Sequence, residues 1–204
     1  ANANSQLGDG VRLRQLSPVT ANDLRGTKLL SAGGKSCAAD LTGALFCWGD
    51  SKILFPSLIS SLASGVQSVS VGYSHTCAIN ASGGAKCWGW NNYGQLGDGS
   101  YEDKSSPTTV LGLSSGMKSI AAGYGFSCGL TTDGAVKCWG DNRYGQLGNG
   151  TYESSPTAVA VTGLSAGIKA ITAGSDHACA IQSDDSLVCW GANYWGQLGN
   201  ENNE

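Results

Sequence analysis

Eight cysteines fall into four pairs, Cys37 and Cys47, Cys77 and Cys87, Cys128 and Cys138, Cys179 and Cys189, always ten positions apart. Successive pairs are offset by 40, 51 and 51 positions, and a Trp-Gly dipeptide follows each second cysteine, at Trp48, Trp88, Trp139 and Trp190. A Gln-Leu-Gly element recurs at Gln6, Gln95, Gln146 and Gln197. Only the first cysteine unit lacks it downstream, where "SKILFPSL" stands instead and accounts for the shorter step. Such a period means one supersecondary unit stacked on copies of itself, each covering its neighbour's apolar face.

Inside the unit the signals are those of β-structure. "KSIAAG" from Lys118 and "KAITAG" from Lys169 are short apolar strands, and "SCGLT", "AVKCWG" and "TAVAVTG" follow between glycine-rich turns. No stretch carries helical periodicity. Four short antiparallel strands in about 50 residues make one propeller blade. The fold class expected is therefore all-β, a β-propeller with four repeats, each a four-stranded antiparallel blade. The ring either closes on itself, is completed by oligomerisation, or continues into a larger one. The units are expected at approximately 23–66, 67–114, 115–165 and 166–204, with 1–22 completing a blade.

The two cysteines of a pair belong to one hairpin. A three-residue loop, such as Thr132-Asp133-Gly134, sets Cys128 directly opposite Cys138. Loops of this length want positive φ at their third residue, and the third residues are Gly43, Gly83, Gly134 and Asp185. Opposed residues at a site without hydrogen bonds have Cα atoms about 4.5 Å apart, within disulfide reach. Each pair thus reads as a cross-strand disulfide, at home in an oxidising compartment. Metal binding competes with this reading, but the spacing lacks zinc-knuckle geometry and no further ligand recurs in phase. Eight reduced thiols packed as small apolar groups would be a third reading.

Charge excludes some partners. Only 13% of residues are charged, the net charge is -3 and the isoelectric point about 5.3, so attraction to nucleic acid or to anionic membranes is not expected. No apolar run reaches bilayer length, so membrane insertion is not expected either. With Ala1 first and no signal segment ahead of it, the chain reads as a mature secreted product or a piece of something longer.

The unit "SCGLTTDGAVKCWGDNRYGQLGNGT" with its "SSPT" connection closely resembles the regulator of chromosome condensation repeat, over nearly the whole chain. The resemblance implies a β-propeller, usually of seven blades. The paired-cysteine variant looks like the bacterial secreted, α-tubulin-suppressor-like branch, which implies a secreted or cell-surface location. The chain departs from the family in having four cysteine hairpins. It also begins and ends in one phase of the repeat, since Asn2 to Gln6 matches Asn91 to Gln95.

No catalytic constellation can be assembled, so no enzyme, no cofactor and no metal is expected. The histidines, His75 and His177, share a repeat slot with Lys35 and Phe126, which marks the slot as structural. Residues shared by all units are scaffold, and those that vary at an exposed phase are free to recognise something. The loop after Cys-Trp-Gly offers that phase: Asp50, Trp90, Asp141 and Ala192, then Lys52, Asn92, Arg143 and Tyr194, then Tyr93, Tyr144 and Trp195. One rim would present Trp90, Tyr93, Arg143, Tyr144, Tyr194 and Trp195, the residue types that anchor interfaces. Tyr93, Tyr144 and Trp195 are expected to pack on neighbouring blades, and Trp90 and Tyr194 to stay exposed.

The function expected is a non-enzymatic extracellular recognition or adhesion module that binds a protein or glycan on a cell surface through that rim. One alternative is a structural repeat of a surface fibre, whose partners are further copies of itself or missing blades of the same chain. Another is a secreted protein inhibitor of an enzyme such as a β-lactamase, a use the resemblance also implies.

Overall fold

The computed structural model describes residues 2–21, 24–50 and 53–200. Positions 22 and 23, where the first unit is expected to begin, and the rim residue Lys52 lie outside them. Strands β1 (Thr27–Ala32), β2 (Ser36–Asp40), β3 (Leu45–Trp48) and β4 (Ser57–Leu58) form the first sheet. The second holds β5 (Ser68–Val71), β6 (His75–Ile79), β7 (Ala85–Gly89) and β8 (Lys104–Thr109). The third holds β9 (Met117–Ala122), β10 (Phe126–Thr131), β11 (Val136–Gly140) and β12 (Ser155–Ala160). The fourth consists, among the described residues, of β13 (Ile168–Ala173), β14 (His177–Gln182) and β15 (Leu187–Gly191), because the repeat puts the counterpart of β12 beyond Glu204.

Every sheet is an antiparallel meander in chain order, which is a propeller blade. The first strands of successive blades lie side by side, β1 by β5, β5 by β9 and β9 by β13. Serines tie them together: Ser31 Oγ accepts from Val71 N at 2.9 Å, and Ser70 Oγ accepts from Ala122 N at 2.9 Å.

Each core cluster sits between two blades rather than within one. Cys37, Leu45, Cys47 and Leu62 pack with Val66, Val71 and Trp88; the next junction buries Cys77, Cys87 and Leu96 with Met117 and Trp139; the third buries Phe126, Cys128, Cys138 and Leu147 with Ile168 and Ala180. A middle strand is therefore covered on both faces, and all five residues of β6 are buried. Two-sided burial explains why these strands are rich in Ala, Cys and Gly and show little polar alternation.

All four cysteine pairs are disulfides, each joining residues directly opposite across the hairpin with Cα atoms 4.0–4.1 Å apart. The loops have the expected form. Gly134 N donates to Thr131 O at 3.1 Å and Thr131 N to Ala135 O at 2.9 Å, which closes a three-residue turn. Its third residue is left-handed in every unit, with φ of 82° at Gly43, 74° at Gly83, 85° at Gly134 and 68° at Asp185. The turn also reaches across a junction: Gly134 O accepts from Ile168 N of the next blade at 3.1 Å, and Gly83 O from Met117 N at 2.9 Å.

Candidate functional site

The rim loop is built by two buried amides. Asn91 accepts from Leu96 N through Oδ1 at 2.9 Å and donates from Nδ2 to Ser100 O at 2.9 Å. Asn142 repeats this with Leu147 N and Thr151 O, both at 2.9 Å. Gln95 Oε1 accepts from Tyr93 N at 2.9 Å, Gln146 Oε1 from Tyr144 N at 2.9 Å, and Gln197 Oε1 from Trp195 N at 2.8 Å. The glutamine side chain thus fixes the backbone of the aromatic slot.

The same glutamine's carbonyl holds the next blade. Trp48 Nε1 donates to Gln6 O, Trp139 Nε1 to Gln95 O and Trp190 Nε1 to Gln146 O, each at 2.9 Å. Trp88 follows the one unit without Gln-Leu-Gly and has no such carbonyl among the described residues; Lys35 Nζ lies 5.6 Å above its ring instead. Residues 2–8 reproduce the loop, and Gln6 docks on the first blade, where its carbonyl also accepts from Ser36 Oγ at 2.7 Å.

Of the six rim residues expected from sequence, the fold joins four in two touching pairs. Arg143 is clamped by Asp141, with Nε and Nη2 at 2.8–3.1 Å from the carboxylate, and its guanidinium lies 4.8 Å from the Tyr93 ring centroid. Asp141 is 1% exposed and the Arg143 side chain 56%, so the cation is anchored from below and open above. Hydrogen bonding and charge from Asp141 raise the Arg143 pKa above its ordinary value. Tyr144 meets Tyr194 edge to face at 5.6 Å between centroids. Tyr93 packs over Gly125 of the following blade, where an added Cβ would come within 2.8 Å of its ring.

Trp195 departs from the expected packing and is 92% exposed. Tyr93 and Tyr144 each lean on the blade that follows theirs, and in the described residues none follows the fourth. Trp90 is exposed but lies apart, lining a cleft at the inner mouth of the blades with Tyr73 and Tyr124. Tyr73 and Tyr124 stack at 4.6 Å with 28° between planes. Sequence reasoning missed these two. The available signal was a Gly-Tyr dipeptide four positions before the first cysteine of two units.

His75 is fully buried, with Nε2 2.8 Å from Ser127 Oγ of the next blade. Burial, helped by the Lys35 charge, lowers its pKa to about 3. It is neutral and structural at any ordinary pH. His177, in the same slot of the fourth blade, is half-buried beside Tyr144 and Tyr194.

Two family models described as the regulator of chromosome condensation (RCC1) repeat match the chain, one over residues 66–95, 117–146 and 168–197 and the other over 83–130 and 133–181. The ultraviolet-B receptor UVR8 of Arabidopsis thaliana is 34% identical over 84% of this chain and 42% of its own length. The human E3 ubiquitin-protein ligase HERC2 is 30% identical over 98% of this chain, a match confined to 4% of the ligase. Among solved structures, yeast RCC1 (Prp20) bound to Kap60 superposes with a TM-score of 0.74 at 21% identity, covering 87% of this chain and 46% of that one. The chain thus spans less than half the length of each.

Proposed function

Because this chain belongs to the regulator of chromosome condensation repeat family, we propose that it is a non-enzymatic recognition module that works outside the cell and binds a protein or glycan of a cell surface through its Cys-Trp-Gly rim. The observation that carries this reading is the Asp141–Arg143–Tyr93 stack beside the Tyr144–Tyr194 pair. Interfaces draw most of their energy from a few Trp, Tyr and Arg anchors that are already ordered before contact. Here the arginine is held by a buried carboxylate through three contacts of 2.8–3.1 Å, so less of its freedom remains to be lost on binding. Trp195 adds exposed apolar area beside Tyr144 and Tyr194.

Four disulfides favour an oxidising, extracellular setting. HERC2 is named for a ligase activity, but the shared part is a small fraction of it, so the match supports a repeat module and not that chemistry. The yeast relative was solved in complex with another protein, Kap60, which agrees with protein recognition by this fold.

The reading is tested by attaching fluorescent label to the whole chain and measuring its binding to a panel of intact cells. Tyr194→Ala is expected to keep its melting temperature within about 2 °C. The Arg143→Ala, Tyr194→Ala double variant also leaves the buried Asp141 carboxylate without its partner, so it should melt lower, stay folded by circular dichroism and bind at least tenfold more weakly than the parent. Equal binding by the double variant would overturn the rim assignment.

A further inference from the structure

The four blades share an inner mouth on the rim side, and its floor is backbone. Gly33 and Gly34 of the first blade, Gly72 of the second, Gly123 of the third and Gly174 of the fourth line one continuous cleft. Side chains there would collide: a Cβ on Gly72 would lie 2.4 Å from Gly123 O, and one on Gly123 2.7 Å from Gly174 O. Corner-to-corner hydrogen bonds run along the floor, from Gly34 N to Gly72 O at 2.9 Å, Tyr73 N to Gly123 O at 3.2 Å and Tyr124 N to Ser175 O at 2.9 Å. The floor is therefore rigid and bare, and a ligand can approach it closely.

Three rings stand over this floor. Tyr73 is 61% exposed, Trp90 53% and Tyr124 39%; Tyr73 and Tyr124 stack on each other across the blade boundary, so each has one face left to offer. The remaining side-chain polar groups of the lining are Asn4, Gln6, Ser74 and Ser175. Gln6 Oε1 already accepts from Asn4 N at 3.0 Å and Ser175 Oγ donates to Asp176 at 2.9 Å, so Gln6 offers its amide N–H groups and Ser175 its oxygen. Among the described residues no Asp, Glu, Lys, Arg or His lines the cleft itself, whose volume is about 750 Å³, within the range of small-ligand sites. Charge stands at its edges: Lys35, Asp50 and Lys104 line an adjoining hollow that shares Tyr73, Ser74 and Trp90, and Asp176 lies behind Ser175.

We infer that this cleft is a subsite for a neutral oligosaccharide, whose apolar ring faces lie on Tyr73, Tyr124 and Trp90 while its hydroxyls bond Asn4, Gln6, Ser74 and Ser175. The inference rests on the rim being a recognition surface and adds a ligand class and a second location on it. The deciding point against a proline-rich peptide is the polar set. Amides and hydroxyls both donate and accept, which suits sugar hydroxyls that do the same, whereas a proline segment offers acceptors only. Aromatic faces supply the apolar half, and Trp and Tyr bring area with little side-chain freedom to lose.

The test is titration of the whole chain with cellotetraose, maltotetraose, chitotetraose and mannotetraose, and with decaproline, following tryptophan fluorescence and saturation-transfer NMR. At least one tetraose is expected to bind, with saturation transfer to its ring protons. Trp90→Ala and Tyr73→Ala should each weaken it tenfold or more, while Tyr152→Ala, an exposed tyrosine outside the cleft, leaves it unchanged. Circular dichroism and the absence of free thiols confirm that the variants fold. The inference fails if no tetraose binds, if the cleft variants bind normally, or if decaproline is the better ligand. Those failures leave cell binding through Arg143 and Tyr194 intact, so they are distinguishable from failure of the rim reading itself.

Discussion

His75 shows how a single side chain can set a solution property of the whole domain. Its pKa in the folded state, about 3, lies below the ordinary 6.5 because burial disfavours the imidazolium and the Lys35 charge adds to that. The unfolded chain therefore takes up a proton that the folded chain refuses. Stability from this group is complete above about pH 6.5 and is lost as pH falls toward 3, by up to about 1.4 kcal/mol per pH unit. Denaturant midpoints measured between pH 7 and 4 should fall accordingly, and His75→Phe, the residue of the third unit's slot, should flatten that dependence. The hairpin turns make a second residue-scale case. Gly134→Ala places a Cβ at φ 85° and 2.7 Å from Gly167 N, and should cost more than about 1 kcal/mol. Asp185 holds the same conformation without glycine, so Asp185→Gly should stabilise by up to about 1 kcal/mol, since its ion pair with Lys169 is exposed and worth little. Chemical denaturation of the two variants against the parent checks both signs.

At the scale of the element, the blades are alike in strand order and unlike in cover. The disulfides of the first three blades face the following blade and have between 0% and 4% exposure at every sulfur-bearing residue. Cys179 and Cys189 hold the same register in the fourth blade but are only half-buried, because the described residues place no blade against them. Thiol–disulfide exchange requires in-line access of the attacking thiolate to a sulfur. Under limiting dithiothreitol, Cys179–Cys189 should therefore be reduced first, and differential alkylation with peptide mass analysis should find label on those two cysteines before any other. Equal labelling of all eight would mean that access does not control the order.

For the molecule as a whole, cohesion is a nearest-neighbour matter. Each hydrophobic cluster, the Trp139–Gln95 and Trp190–Gln146 bonds and each hairpin-tip bond join one blade to the next. Recognition is separated from that cohesion. Arg143 and Tyr194 project from loops whose shape is set underneath by Asn142, Gln146 and Asn193, so Tyr194→Ala, which orphans no buried charge, should weaken binding while its melting temperature stays put. A combined loss of both would show that the exposed rings hold blades together.

The repeat, the hairpin register, the disulfide pairing and the propeller class were legible in the residues alone, because they depend on local spacing: ten positions across a tight turn, a left-handed third residue, and a period that returns the same unit. The scaffold role of Trp-Gly and Gln-Leu-Gly was legible as recurrence, although not as the bond between them, which crosses 44 positions and a blade boundary. Exposure was decided by the tertiary structure. Tyr93 and Trp195 occupy one slot of the repeat, yet the first lies over Gly125 and under Arg143 while the second is bare, since cover comes from the neighbouring blade and not from the residue's own unit. The inner cleft was likewise invisible in sequence: Tyr73, Trp90 and Ser175 are far apart along the chain, and only the side-by-side stacking of first strands brings them round one mouth.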